Sequence, residues 1–438
     1  MSTKRILHDG VKDRLTALST LDPDKINDFD ELLTAMGRTA FGGRCLGEAL
    51  DVLEAMVTDP DCVVVGTFSG AMTVAKQSKL LIKMIDEGWL DVVVSTGALM
   101  AHGFIESIGL KHFKYEPAKM NDKALFDAGY NRVYDTLEPE ANFAQAELVV
   151  REVMHQLMDV DKVTHLSSEL ICKAIGKHLS EKYNGPGILK SAYKKGVPVF
   201  IPAFTDSELA LDVACSILAK DFGHLMGEKG PEALPFQFNP FLDLFSYSKR
   251  MFGAKKMAIF TIGGGVPRNW AQQIGPFFDV MGTRLERDLP ERRFTYAIRI
   301  CPEPVHWGGL SGCTYQEGIS WGKFVPPAEG GQFAEVHSDA TVVWPLLIKG
   351  LQDRLAKKAK AKSTLGDRMA SSGGSIVPDR KAKKVPAQKV AAAKPAAPAK
   401  KSAASARKPA AAAKKPAAKA PAKKSAVAAK KPAASAKK

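Results

Sequence analysis

An α/β fold is what the sequence predicts: one large domain on a mainly parallel sheet covered by helices on both faces, followed by a disordered basic C-terminal tail. Three observations predict it. Short β-branched runs alternate with helical periodicities along the body of the chain. The runs are apolar almost throughout rather than every second residue, as in strands buried on both faces. The last 58 residues, by contrast, are almost entirely Lys, Ala, Pro and Ser.

The strand signals are CVVVGTF at 62–68, LDVVVST at 90–96, VPVFIPAF at 197–204, MAIFTI at 257–262 and RFTYAIRI at 293–300. Each is bounded by Gly, Pro, Asp or Ser. Helical periodicities lie at 46–56, 74–85, 141–158, 208–218 and 270–281. In such a sheet ligands sit at the carboxyl ends of the strands. Those ends read Thr67-Phe68-Ser69-Gly70-Ala71-Met72-Thr73, then Ser95-Thr96-Gly97-Ala98, then Thr205-Asp206-Ser207-Glu208, then Gly263-Gly264-Gly265-Val266-Pro267. Glycines and small hydroxyls at helix N-termini let a backbone approach a diphosphate or ribose. One such end is mostly turn chemistry; four in one sheet point to a large nucleotide-like ligand. The triple glycine lacks the G-x-G-x-x-G spacing, so an ordinary dinucleotide fold is not what the residues support.

Charge divides the chain. Of 62 Lys+Arg, 18 lie in residues 381–438 with no acidic residue, leaving 44 against all 47 Asp+Glu in residues 1–380. The body therefore carries −3 and the overall +15 belongs to the tail. A chain that repels itself and has so few large apolar groups cannot offset the entropy of ordering. Its chemistry fits weak contact with nucleic acid or ribosomes, lost as salt rises, or simple solubilisation. The domain reading is 1–355 catalytic body, 356–380 linker and 381–438 tail. A body of roughly 350 residues is ample for one large core.

Other classes are excluded. No run approaches the ~20 apolar residues of a membrane helix, and the first residues, Met-Ser-Thr-Lys-Arg, lack an apolar signal region. The six cysteines form no C-x-x-C pair, and Cys62, Cys172 and Cys215 lie in apolar stretches, so reduced thiols and a cytoplasmic setting are expected. The nine histidines show no zinc-ligand spacing, so no metal is expected.

The densest segment is 308–345. Lys323 follows an aromatic and a glycine and precedes Phe324 and Val325. Such company strips solvent from an ammonium and makes the neutral amine available as a nucleophile. A lysine snorkelling beside Trp321 is the bland alternative.

Ser320-Trp321-Gly322-Lys323, with Glu317 before and Ser338-Asp339-Ala340-Thr341 after, resembles the C-terminal signature of the deoxyhypusine synthase family. The similarity extends, in family order, through the glycine triplet, Pro202-Ala203-Phe204-Thr205-Asp206, Val92 to Gly97 and 46–73, over roughly residues 35–352; the bacterial deoxyhypusine synthase-like proteins are the subgroup it looks most like. The resemblance implies a Rossmann-like homotetrameric enzyme using NAD. It implies transfer of an aminobutyl group from spermidine or a related polyamine, through a lysine imine, to an acceptor amine such as a protein lysine. A free diamine acceptor, as in homospermidine synthases, is the alternative. An inactive homologue binding nucleic acid or ribosomes through the tail is another.

By match to the motifs, Lys323 is the expected nucleophile. Ser69, Gly70, Ala71, Met72, Thr73, Thr96, Gly97, Ala98, Asp206, Gly265, Asp339 and Ala340 are expected to line the NAD site. Glu317 and Trp321 are expected to hold the polyamine. Departures fall among the polyamine contacts. Ala101-His102 stands where two glutamates are usual, Asn269-Trp270 where a histidine is, and Gly308-Gly309-Leu310-Ser311-Gly312 lacks an aspartate. The aspartate shortly after Thr205-Asp206 is either missing at Leu211 or displaced to Asp212. His102, Trp270 and Asp212 are thus expected among the substrate contacts.

Overall fold

In the computed structural model the strand runs pair into one six-stranded sheet in which every pairing is parallel. Residues 7–70, 72–228 and 230–371 are described and belong to one compact unit. Ala71, the tail at 381–438, its expected polyanion contact and the extreme N-terminus lie outside the described residues.

Helices α1 (Phe29–Met36) and α2 (Phe41–Thr58) precede strand β1 (Cys62–Phe68). Helix α3 (Ser78–Asp86) leads to β2 (Val92–Ser95), which feeds α4 (Gly97–Ser107). A small antiparallel sheet (Phe113–Lys114, Tyr130–Val133, Thr136–Pro139) is followed by α5 (Glu140–His155), α6 (Ser168–Lys182) and α7 (Ile188–Lys195). Then come β3 (Val199–Phe200), α8 (Glu208–Leu218), α9 (Pro240–Phe252) and β4 (Lys256–Ile262). Helices α10 (Gly265–Gln272) and α11 (Ile274–Arg284) lead to β5 (Phe294–Ile300); α12 (Tyr315–Ser320), β6 (Gln332–Val336) and α13 (Ala340–Ser371) complete the unit.

The apolar runs are continuous because both faces are covered. Val64, Phe68, Val93, Ala258, Phe260 and Ile298 pack in one core with α2, α4, α6 and α13. Val65, Val92, Val94, Met257 and Ile259 enter the other, with Tyr247 of α9, Ala271 of α10 and Phe278 of α11. Side chains alternate with period two, and each face finds an apolar partner.

The strand order is 3-2-1-4-5-6. This is the doubly wound dinucleotide-fold order, with a crevice at the carboxyl ends where the winding reverses between β1 and β4. The missing glycine fingerprint had argued against an ordinary dinucleotide fold. Strand order, however, is set by long-range pairing and crossover geometry, which a turn motif does not encode.

Other expectations are adjusted. The 197–204 run shrinks to two paired residues, and the 270–281 periodicity breaks into two helices. β6, polar at Gln332 and Glu335, gave no strand signal. The body does not end at 355. Helix α13 continues to Ser371, with Lys357 paired to Asp28, Asp30 and Glu31, and Lys358 to Glu54. Ala- and Lys-rich sequence favours helix, and these ion pairs tie it to α1 and α2 just beyond residue 355. Cys172 is buried as expected, but Cys215 is exposed on the outer side of α8. No helix among the described residues is long and apolar enough to cross a membrane.

Candidate functional site

The carboxyl ends of β1, β2 and β4 enclose a cleft of about 240 Å³ whose lining includes Ser69, Thr96, Gly97, Asp206, Gly264, Gly265 and Ser311. A wider opening of about 640 Å³ shares Thr96 and Asp206 and adds Gly70, Ala98, His102, Glu208 and Leu211. The small residues have a steric reason. A Cβ on Gly97 would stand 2.4 Å from Ser207 Oγ, and one on Gly264 2.6 Å from Ser311 Cα. Gly265 has φ +62° and opens α10 with nothing nearer its Cβ position than Ser311 Oγ at 3.9 Å. Thr96 accepts from Leu99 N to cap α4, and Ser69 Oγ accepts from Gly264 N at 2.9 Å. Two helix N-termini and a glycine cradle are therefore turned toward one cleft. That donor set suits the diphosphate and ribose of a dinucleotide.

Of the expected cofactor residues, Ser69, Gly70, Thr96, Gly97, Ala98, Asp206 and Gly265 line these openings. Four do not. Thr73 is buried and donates to Leu99 O at 2.9 Å, which makes it a core hydroxyl, and Met72 packs against the same core. Ala340 is buried in the α13 contact, while the Asp339 carboxylate accepts from Thr341 N and Oγ1 at 2.8 and 2.9 Å, capping α13.

Lys323 is only 7% exposed. Residues 323–325 are pinned to the start of β5, with Phe294 N donating to Lys323 O (2.9 Å) and Val325 N to Phe294 O (3.0 Å). The side chain reaches α10, where Nζ donates to Asn269 Oδ1 at 3.1 Å. Asn269 lies four residues beyond Gly265, about 6 Å along the helix from the cleft lining. Burial pushes the Lys323 amine below its ordinary value, and the Arg268 charge adds to this. The opposing influences are Cys313 and exposed Glu317. The Cys313 thiol is itself pushed up, chiefly by burial, so at neutral pH it carries no charge to oppose the shift. Trp321 is 64% exposed, its ring centre 6.0 Å from Nζ. The amine and two of its expected polyamine contacts, Glu317 and Trp321, thus stand together.

The other three substrate expectations part company. Trp270 does not join Lys323: it packs on Phe200 and Tyr247 at 5.5 and 5.0 Å, because neighbouring helix positions face about 100° apart. Leu211, 62% exposed, lines the wide opening, whereas Asp212 is not in its lining and feels Glu147 of α5. Burial, with Glu147 and Glu208 nearby, raises the Asp212 carboxyl to about 7. The aspartate is therefore missing from the cleft rather than displaced within it.

His102 does line the opening. Its Nδ1 donates to Glu138 Oε2 at 2.6 Å, and His112 Nε2 lies 3.2 Å from the same oxygen. These three metal-ligand side chains meet across 36 and 26 residues of sequence, which no spacing motif could show. The Lys76 ammonium, however, donates to His112 Nδ1 at 2.9 Å. A metal on Nε2 would require a proton on Nδ1, facing that ammonium. The cluster is better described as a buried ion-pair chain. Burial opposes the charged forms, yet the two histidines hold Glu138 down to about 2 and Glu138 raises His102.

Glu138→Gln is expected to lower stability by about 3 kcal/mol near pH 6. A depressed carboxylate contributes fully above its unfolded value and loses that contribution as pH falls through its folded one. The difference in unfolding free energy from wild type, followed by denaturant titration, should shrink between about pH 4.5 and 2. The raised His102 contributes below its unfolded value and loses that as pH climbs through the folded one.

Asn269, Arg268 and Cys313 complete the surroundings of Lys323. Composition offered no signal for the two buried arginines, Arg268 and Arg299.

Comparison with known proteins gives consistent findings. A family model described as deoxyhypusine synthase matches residues 31–351. A protein from Archaeoglobus fulgidus named probable deoxyhypusine synthase 2 is 32% identical over 316 residues, 72% of this chain and 95% of the relative. One of the same name from Methanosarcina acetivorans is 29% identical over 330 residues, 75% and 88% of the two chains. A deoxyhypusine synthase-like protein from Elusimicrobium minutum is 27% identical over 342 residues, 78% and 84%.

Proposed function

The chain belongs to the deoxyhypusine synthase family, a family of transferases, and from that premise we propose that it is an NAD-dependent enzyme moving an aminobutyl-type group from a polyamine to an acceptor amine through Lys323. The observation that carries the reading is the buried Lys323 amine, held by neutral Asn269 about one helical turn from a glycine-lined cleft.

Residues at the N-termini of α4 and α10 would hold NAD, which would supply the hydride acceptor for amine oxidation and the hydride for the final reduction. The chain's own residues do the rest. Thr96, Gly97, Gly264 and Gly265 leave room for a backbone to approach the diphosphate, and Asp206 offers a carboxylate for a ribose hydroxyl. The uncharged Lys323 nitrogen attacks the oxidised carbon of the donor; the donor's amine leaves with a proton, and the group rests on Lys323 until the acceptor amine takes it. Trp321 offers a face to the cationic stem and Glu317 a carboxylate to its ammonium. Spermidine, a protein-lysine acceptor, a homotetramer and a cytoplasmic setting belong to the same proposal.

The full chain with NAD and spermidine, quenched with borohydride, is expected to carry a reduced aminobutyl adduct on Lys323 by peptide mass spectrometry. Adduct on another residue, or none with any of a panel of amines, would overturn the assignment. Homospermidine on adding putrescine would identify a free diamine as acceptor.

A further inference from the structure

Next in sequence to Asn269, which holds the Lys323 amine, stands a buried cation that the transfer chemistry leaves unused. Arg268, 2% exposed, donates from Nη2 to Cys313 O at 2.7 Å and from Nη1 to Ser311 O at 3.3 Å. Arg299, 1% exposed, donates to the same two carbonyls at 2.6 and 3.0 Å. Glu335 accepts from Arg299 Nη2 (3.1 Å) and from Tyr315 N (2.6 Å). Glu335 thus pairs with Arg299, whereas Arg268 meets carbonyl oxygens, which satisfy hydrogen bonds without cancelling charge. Among the described residues the Arg268 charge has no carboxylate in ion-pair reach, in the interior, where screening is weakest. The Arg268 Nε is buried with no acceptor among the described residues, and its guanidinium sits 5.4 Å from the Tyr315 ring.

That arrangement costs stability, since buried charge is ordinarily paired. We propose that Arg268 is a positioning residue for Lys323: it braces the 311–313 loop along the pocket wall and places fixed positive charge where it disfavours a second cation on the Lys323 nitrogen. This rests on Lys323 being the reacting amine. A neighbouring cation is an established way to free a lysine nitrogen for attack. The groups facing Nζ fit the same purpose. Asn269 on α10 holds it with a neutral oxygen, Cys313 on the loop is a thiol, and Glu317 on α12, the carboxylate in reach, is exposed to solvent. Burial supplies the larger part of the effect on Lys323 and Arg268 adds to it.

The test separates charge from brace. The full chain is acetylated with trace acetic anhydride across pH 6 to 11, and the extent at Lys323 is read by mass spectrometry against exposed lysines. Arg268→Gln removes the charge and keeps part of the brace; Arg268→Lys keeps the charge and loses the two-pronged grip. The expected result is an apparent Lys323 titration about one unit higher in R268Q, which lowers the neutral fraction at pH 7.5 about tenfold, with less than threefold change in R268K. An unshifted R268Q, or equal shifts in both variants, overturns the proposal. Should R268Q fail to fold, as circular dichroism will show, Asn269→Asp sets a carboxylate against the same nitrogen. A rise of a unit or more is then expected, and an unmoved titration overturns the idea that fixed neighbouring charge governs this amine. Labelling needs neither NAD nor polyamine. A low Lys323 titration without borohydride adduct would therefore count against the transfer reaction alone.

Discussion

Lys323→Ala is expected to remove turnover by ~10³-fold or more, measured as NAD reduction and amine release in the presence of polyamine. Lys323→Arg should do the same, because a guanidinium stays protonated and cannot attack an imine carbon. Neither change should alter NAD affinity by more than a few-fold, since Lys323 does not line the glycine cleft. Nor should the fold be lost. Removing a half-paired amine with its stem costs about 1–2 kcal/mol in a body of this size. Turnover within threefold of wild type in K323A would show that Lys323 does not carry the aminobutyl group.

Gly264→Ala is expected to weaken NAD binding at least tenfold by calorimetry. The added Cβ would stand 2.6 Å from Ser311 Cα and 2.7 Å from Ser311 Cβ. The loop cannot easily give way, because Arg268 and Arg299 both grip Ser311 O. Strain of about 1–3 kcal/mol then falls on the cleft wall itself. Gly42→Ala is the matched control: nothing lies within 4 Å of its Cβ position on α2, and binding should be unchanged. Equal NAD affinity in G264A and wild type would move the cofactor elsewhere.

Much of this site was legible in the chain because it is local. Ser320-Trp321-Gly322-Lys323 places an aromatic and a lysine within one turn, and the strand-ending glycines announce where a sheet opens. The misses are of another kind. Thr73 looked like a ligand hydroxyl, but it donates to Leu99 O; Asp339 looked like a ligand carboxylate, but it accepts from Thr341 N and Oγ1. Both are small polar residues whose role depends on which backbone group comes near. Trp270 and Asp212 each sit one helix position from the residue that faces the site or cleft, and one step on a helix turns a side chain by about 100°.

The linear chain by itself determined an α/β body with strands buried on both faces, the lysine and its aromatic neighbour, and the confinement of the net positive charge to the last 58 residues. These follow from hydrophobic period, turn chemistry and composition, which act between residues a few positions apart. Tertiary structure alone decided the 3-2-1-4-5-6 order, the meeting of His102, His112 and Glu138, and the gathering of Arg268 and Arg299 round one loop. Those depend on strand pairing and helix docking between distant segments, where many partners satisfy the same local pattern and only the packed whole selects one.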